Sequence, residues 1–160
     1  MSARDGDGWI QCQCGSKHWG KFGAAGILIF REGLTGEREI FLQHRAPWVH
    51  NGDTWGIPGG ARDSHESVTE AAMREAHEET GIKPAHLTPL SLFTDDHGDW
   101  RYDTVIASAH SQISADSPND ESQEMRWVAL SEVTMLDLHP SFSKTWFELR
   151  QLLDDVITPA

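Results

Sequence analysis

A glycine-rich loop runs directly into a helical segment, and this junction constrains the fold more than any other part of the chain. The loop, GIPGGARD at residues 56–63, combines a proline with three glycines and predicts tight backbone conformations. Asp63 or Ser64 is a candidate N-cap for a helix that runs to about Thr80, and Gly81 suits the left-handed position that ends a helix. The sequence therefore predicts a loop–helix unit with a close approach between loop and helix.

Three glutamates, Glu75, Glu78 and Glu79, lie near the C-terminal end of this helix. At 100° per residue they continue the stripe formed by Ala71 and Ala72, so we expect them to face the protein body. Clustered carboxylates at the negative end of a helix dipole repel one another unless protons or cations intervene. Mg²⁺ and Mn²⁺ prefer oxygen ligands and would fit such a cluster, although a solvated acidic helix end also fits these three residues alone.

The rest of the chain indicates an α+β fold. Apolar or alternating runs predict strands at 24–30, 39–45, 87–93, 101–109 and 125–130. Pro140 begins a second helix with apolar residues at helical spacing. We expect a mixed sheet with both helices packed on it, forming one domain over residues 21–160 that follows an irregular arm, residues 1–20.

The charge of the chain limits its partners. Thirteen basic and twenty-five acidic side chains give a net charge of −12, which repels nucleic acid polymers and anionic membranes. An acidic protein that handles phosphates needs a cation between itself and its ligand. The N-terminal stretch has no apolar segment typical of a secretory signal, and the longest apolar run is too short to span a bilayer, so we expect a cytoplasmic protein.

The spacing of the loop and helix residues resembles the Nudix box, Gly-x5-Glu-x7-Arg-Glu-U-x-Glu-Glu-x-Gly-U, in which U is a bulky aliphatic residue. Every fixed position matches, and the one departure is Ala76, which is smaller than usual. The resemblance implies an α/β/α sandwich that hydrolyses nucleoside diphosphates linked to another moiety with Mg²⁺ or Mn²⁺. The matching residues are Gly60, Glu66, Arg74, Glu75, Glu78, Glu79, Gly81 and Ile82.

The resemblance also implies a role for each matching residue. Glu75, Glu78 and Glu79 would bind the metals, and Glu75 or Glu78 would also deprotonate the attacking water. Arg74 would orient a glutamate by ion pairing, and the carbonyl group of Gly59 or Gly60 would complete a metal site.

Other assignments complete this picture of the site. Glu66 and Gly81 would support the box itself. Family members often add an acid from a distant loop; Glu124 is the favoured candidate here, and Glu121 is the alternative.

The residues outside the box leave substrate recognition open. Arg45 is the best candidate for a phosphate contact, because it ends a strand predicted to point toward the box loop. Trp48, Trp100 and Tyr102 could stack on a nucleobase, and packing in the sheet is the alternative role for each of them.

Cys12, Cys14 and His18 form half of a zinc-binding pattern. A tetrahedral zinc site needs four ligands, and the chain has no other cysteine, so two reduced thiols are the expected state. Whether these residues hold zinc stays open.

The leading functional hypothesis is a metal-dependent pyrophosphohydrolase. It would convert a nucleoside triphosphate, with an oxidised one such as 8-oxo-dGTP as a candidate, to the monophosphate and pyrophosphate. Hydrolysis of ADP-ribose, a nucleotide-sugar or a dinucleotide is the alternative. A non-catalytic nucleotide-sensing module is the alternative from another class. The expected partner is a small nucleotide, and a homodimer is left open.

Overall fold

The computed structural model describes residues 4–33, 35–110 and 122–157, which form a mixed β-sheet between two helices. Within these ranges no helix is both long and apolar enough to cross a membrane. The helices are α1 (Val68–Thr80) and α2 (Pro140–Ile157), and short 3₁₀ turns occupy Pro84–His86 and Leu130–Met135. The strands are β1 (Trp9–Gln11), β2 (Lys17–Trp19), β3 (Ala24–Glu32), β4 (Arg38–Arg45), β5 (Trp55–Gly56), β6 (Gly59–Ala61), β7 (Leu87–Asp96), β8 (Arg101–Ala109) and β9 (Ser122–Ala129).

The main sheet has seven strands in the order β5-β4-β3-β8-β7, with β6 beside β3 and β9 beside β4. Strands β3 and β8 run parallel along seven residue pairs, and the other pairings are antiparallel. The five strands predicted from the sequence are all present. The short strands β5 and β6 fall where the sequence indicated only a tight loop.

Strands β3 and β4 separate partway along their length, and this divergence positions the functional site. They pair at 30–32 with 38–40. Beyond that point β6 pairs with β3 at 24–26, and β5 pairs with β4 at 43–44. The two short strands and the residues between them, 57–58, therefore occupy the gap between the two long strands.

Each face of the sheet packs against one helix. Small residues of α1 and the inward side chains Ile27, Ile29 and Phe41 form one core cluster. The second cluster joins Leu28, Leu42 and other sheet residues to one face of α2, which contributes Phe142, Trp146, Leu149 and Leu153. Apolar burial on both faces of a sheet drives this layered arrangement. The predicted α/β/α sandwich is therefore confirmed.

The N-terminal segment is more ordered than the sequence indicated. Residues 9–19 form an antiparallel hairpin, β1–β2, with Trp9 opposite Trp19. Their indole rings meet edge to face at 5.2 Å. Backbone hydrogen bonds from Gly20 to Gly8 and from Lys21 to Gly6 extend the pairing toward the N-terminus. The expectation of an irregular arm was wrong in this respect, because cross-strand aromatic pairs stabilise a short hairpin.

Helix α1 begins later than the sequence predicted. Its N-cap is Ser67, whose hydroxyl accepts a hydrogen bond from the Glu70 backbone, while the Glu70 carboxylate accepts one from the Ser67 backbone. Ser64 instead donates its hydroxyl and backbone N–H to Asp5. The predicted C-terminus is confirmed, since Gly81 adopts φ 79° and its N–H donates to His77.

Replacing the true N-cap should destabilise the protein more than replacing the rejected one. Ser67→Ala removes the oxygen that accepts the Glu70 N–H, so we expect a loss of about 1 kcal/mol in the free energy of unfolding. Ser64→Ala is the matched control, with an expected loss within about 0.5 kcal/mol. Urea denaturation measures both values, and a larger loss in Ser64→Ala would contradict this assignment of the helix start.

Candidate active site

Arg74 joins α1 to the loop that precedes it. Its guanidinium donates to both carboxylate oxygens of Glu66, through Nε at 2.6 Å and Nη2 at 2.9 Å, and Nη2 also donates to the Ala61 carbonyl at 3.0 Å. Nη1 donates to Glu75 at 2.8 Å and to Glu78 at 3.2 Å. One side chain thus holds three carboxylates and one backbone carbonyl, and we call Arg74 with Glu66, Glu75 and Glu78 the Arg74 cluster.

Glu66 anchors the loop itself. Its Oε1 also accepts the backbone N–H of Asp63 at 3.0 Å. The hydrogen bonds from Arg74 lower the pKa of Glu66, and so does the Asp63 N–H, although burial opposes them. These donors offset the cost of burying the charged carboxylate. Glu66 can therefore support the loop of the box from a buried position.

The two glycines of β6 bring the backbone against the acids of α1. A Cβ atom built on Gly60 would lie 2.6 Å from Oε1 of Glu75, so no other residue fits there without displacing that carboxylate. Gly59 donates its backbone N–H to Oε2 of Glu79 at 2.9 Å. The loop backbone and the two carboxylates are therefore in direct contact, as the glycine-rich sequence predicts.

The three acids of α1 differ in their environments. Glu75 is buried, Glu79 is half-buried and Glu78 is exposed. The expectation that all three face the protein body is thus wrong for Glu78, which lies at the solvent edge of the stripe. Burial raises the pKa of Glu75, and the Arg74 hydrogen bond and charge only partly offset that effect.

A second arginine approaches the same acids from the N-terminal segment. Arg4 lies 3.0 Å from the buried Asp63 and 3.6–3.7 Å from Glu75 and Glu78. Asp63 also accepts the backbone N–H of Gly6 at 2.9 Å. Sequence reasoning missed these contacts, because nothing in residues 4–7 indicates packing against a loop more than fifty residues away.

A cavity of about 420 Å³ opens beside the glycines Gly59 and Gly60. Its aromatic wall comes from the β1–β2 hairpin and the β7–β8 turn, where the His18 and Trp100 rings stack at 4.1 Å with 6° between their planes. The remaining walls carry polar and cationic groups; among the lining residues are Lys17, Gln43, Arg45, His50, Asn51, Tyr102, His139 and Lys144.

The candidate substrate residues separate into two groups. Arg45, Trp100 and Tyr102 line the cavity, whereas Trp48 is 73% exposed and is not among the lining residues. Arg45 donates Nε and Nη2 to the carbonyl of His50, which fixes its guanidinium at the cavity wall. Tyr102 extends its hydroxyl toward Gly26 and Gly59, and burial raises its pKa.

The structure describes one of the two candidates for an additional metal ligand. Glu124 lies on β9 opposite His44, is exposed, and pairs with Arg126 at 3.8 Å. Glu121 lies outside the described residues. Its assignment and that of Glu124 as an extra metal ligand stay predictions.

The hairpin brings the two cysteines and His18 together. Single ligand atoms of Cys12, Cys14 and His18 lie within 4.8 Å of one another, and Cys14 Sγ is 3.1 Å from His18 Nε2. These are three of the four ligands that a tetrahedral zinc ion requires. Neither cysteine forms a disulfide, and zinc binding by these residues stays an open prediction.

The cavity also contains residues that sequence reasoning did not select. Burial lowers the pKa of His139 to about 4, with help from the nearby positive charges of Arg45 and His50. His139 therefore stays neutral at pH 7, within 3.3 Å of the Asn51 side-chain amide. Gln43 is buried in a strand whose sequence is typical of the core. It lines the cavity because it lies beyond the point where β3 and β4 separate.

Comparisons with known proteins agree with this geometry. The NUDIX domain family matches residues 20–150. A Mycobacterium tuberculosis protein, provisionally named 8-oxo-dGTP diphosphatase 3, is 44% identical over 91% of this chain and 70% of its own length. A Bifidobacterium longum protein named a nucleoside triphosphate pyrophosphatase/Nudix hydrolase fusion is 40% identical over 96% of this chain and 33% of its own length.

A solved structure extends the likeness to three dimensions. The Nudix hydrolase RenU of M. smegmatis superimposes with a TM-score of 0.88 at 41% identity, covering 94% of this chain and 97% of that protein. The structural similarity therefore extends over almost the whole chain and is not limited to the box.

Replacing Arg74 by lysine should destabilise the protein although the charge is kept. A lysine ammonium cannot bond both oxygens of Glu66 and reach Glu75 together, so buried carboxylates lose their donors. We expect a loss of about 1.5–3 kcal/mol in the free energy of unfolding at pH 7, measured by urea denaturation. Arg150→Lys, which alters an exposed pair with Asp154, is the control and should change it by less than about 0.5 kcal/mol. Equal effects in the two variants would contradict the structural role of the Arg74 cluster.

Proposed function

Because the chain belongs to the Nudix family and is a hydrolase of phosphoanhydride bonds, we propose that it converts nucleoside triphosphates to the monophosphate and pyrophosphate. Oxidised deoxynucleoside triphosphates such as 8-oxo-dGTP are the proposed preferred substrates. The observation that carries the proposal is the contact of Glu79 with Gly59 and of Glu75 with Gly60, two glycines that also line a nucleotide-sized cavity, with Glu78 joined to Glu75 through Arg74. The name of the M. tuberculosis relative supports the oxidised substrate.

The donor set at this site suits Mg²⁺ or Mn²⁺. The oxygens of Glu75, Glu78 and Glu79 are hard ligands, and the glycine backbone leaves room for a carbonyl beside them. We assign the metal-holding role to these three glutamates with Gly59 or Gly60. A divalent cation bound there would neutralise the diphosphate and lower the pKa of a water molecule.

The protein groups would activate and orient the nucleophile. A carboxylate held beside a metal-bound water can take a proton from it. We assign the base to Glu75, with Glu78 as the alternative. Arg74 bonds both side chains, so it would hold the base and its neighbour in one orientation.

The cavity would hold the rest of the nucleotide. The aromatic wall offers rings for a base to stack on, and the fixed Arg45 guanidinium offers a charged donor for phosphate oxygens. These local cations would attract an anionic substrate to a chain whose net charge is −12.

A second substrate class has support from the same cavity. Lys144 and His50 line it together with Arg45, and a larger nucleotide with a distal charged group could use them. Hydrolysis of ADP-ribose, a nucleotide-sugar or a dinucleotide is therefore the alternative. Identifying the products from a panel of these nucleotides with Mg²⁺ separates the two classes, because a nucleoside triphosphate gives the monophosphate and pyrophosphate, whereas ADP-ribose or a nucleotide-sugar gives a nucleoside monophosphate and a sugar phosphate.

Neutralising the acids of α1 should abolish turnover without unfolding the protein. In Glu78→Gln and Glu79→Gln we expect kcat to fall on the order of 100-fold or more, because the variants lose charged metal ligands. The amide oxygen that Glu79→Gln introduces can still accept the Gly59 N–H, so circular dichroism should stay unchanged. Glu148→Gln, at an exposed position of α2, is the control. Near wild-type turnover of either test variant at saturating Mg²⁺ would remove that residue from the metal site.

The route of hydrolysis is testable with labelled water. We expect attack of water at phosphorus, so a reaction in ¹⁸O-labelled water should place the label on a phosphate-containing product, which mass spectrometry detects. Activity should vanish with EDTA and return with Mg²⁺ or Mn²⁺. Full turnover in EDTA, or a trapped phosphoryl-enzyme, would contradict the mechanism.

A further inference from the structure

Gln43 is a buried amide that faces the cavity with an unused donor. The residue is 5% exposed and lies among the cavity-lining residues. Its Nε2 has no hydrogen-bond partner within the described part of the chain, and it is the single buried side-chain nitrogen or oxygen there with that property. Buried amide donors are nearly always paired, so an unpaired one on a residue that lines a cavity indicates a partner that arrives with the ligand.

The position of Gln43 in the sheet explains why its side chain reaches the cavity. On β4 it lies opposite Gly56 of β5 and Met125 of β9, beyond the point where β3 leaves β4. Side chains alternate along a strand, so Gln43 shares its face with Arg45, which also lines the cavity. His44 points to the other face, where it stacks on Trp55 at 4.7 Å.

The chemistry of this wall favours a nucleobase over a phosphate as the partner. A buried phosphate calls for charged donors, and these occur at Arg45 and Lys144 rather than at the neutral amide. A planar base can be buried against the aromatic wall while one polar edge meets an amide, and glutamine pairs well with base edges.

We propose that Gln43 Nε2 donates a hydrogen bond to a carbonyl oxygen of the bound nucleobase and thereby sets base specificity. In the free protein the amide donor has no partner among the described residues, and the base carbonyl supplies one. A base without the carbonyl leaves the amide unpaired and binds more weakly. The proposal rests on the proposed function in that the ligand is a nucleotide.

Matched nucleotides that differ by one carbonyl test the proposal. dGTP and 2-aminopurine deoxyribonucleoside triphosphate differ by the oxygen at C6 and the accompanying N1 proton, and 8-oxo-dGTP and dGTP differ by the oxygen at C8 and the accompanying N7 proton. Wild-type protein should prefer the carbonyl-bearing member of one pair by about 10-fold in kcat/KM. In Gln43→Met, which keeps the volume but has no donor, that ratio should fall close to one, mainly through KM.

Two further variants sharpen the result. Gln43→Glu offers only acceptors when ionised and should lose the discrimination as Gln43→Met does; its retention would overturn the direction of the hydrogen bond. Gln151→Met, at an exposed position of α2, controls for the amide-to-thioether change and should behave as wild type. Wild-type protein that discriminates in neither pair, or Gln43→Met that keeps the wild-type ratio, would overturn the proposal.

The melting temperature distinguishes this proposal from a purely structural role of Gln43, and calorimetric binding distinguishes it from a failure of the proposed function. Without nucleotide, Gln43→Met should melt at the wild-type temperature or above it, because an unpaired buried donor has been removed. A lower melting temperature with unchanged discrimination would make Gln43 structural and overturn the proposal.

Calorimetric binding of dGMP and 2-aminopurine deoxyribonucleoside monophosphate needs no turnover. Discrimination between them that depends on Gln43, in a protein that hydrolyses no triphosphate, would sustain this inference and reject the proposed reaction.

Discussion

The two-point ion pair between Arg74 and Glu66 is the interaction on which the site depends. It connects the loop to α1 across eight residues and leaves Nη1 of the same guanidinium to hold Glu75 and Glu78. The pKa values of the two buried carboxylates that Arg74 contacts are shifted in opposite directions: hydrogen bonds lower the pKa of Glu66, whereas burial raises that of Glu75. One arginine therefore contacts both Glu66 and Glu75, two buried acids with opposite pKa shifts.

The separation of β3 from β4 supplies the second requirement, a place for the substrate. Two long strands that stayed paired would fill this region with core side chains. Because they diverge, the glycines of β6 reach the acids of α1, and Gln43 and Arg45 line the cavity together with those glycines. The N-terminal hairpin then closes the cavity with Trp9, His18 and Trp19, so the site draws on both ends of the described chain.

Local spacing predicted the features that depend on neighbouring residues. The positions of the five long strands along the chain, the end of α1 at Gly81 and the Arg74–Glu78 contact all follow from period, turn residues and an i, i+4 relation. The sequence predicts too early a start for α1, because Asp63 and Ser67 are both residue types that cap helices. Asp63 instead accepts the backbone N–H of the distant Gly6, and Ser67 is the N-cap. Contacts of Arg4 and the unpaired amide of Gln43 depend on tertiary structure and leave no pattern in the sequence.

The location of the bound metal tests the central claim most directly. Crystals soaked with Mn²⁺ and a non-hydrolysable nucleotide should show anomalous density between Glu75, Glu78, Glu79 and the Gly59–Gly60 backbone. Within the described part of the chain, two groups have ligand atoms that all lie within 4.8 Å of one another, and neither is formed by the acids of α1: Asp63 with His65 and Glu66, and Cys12 with Cys14 and His18. Density confined to either of those groups, with none at the acids of α1, would contradict the account.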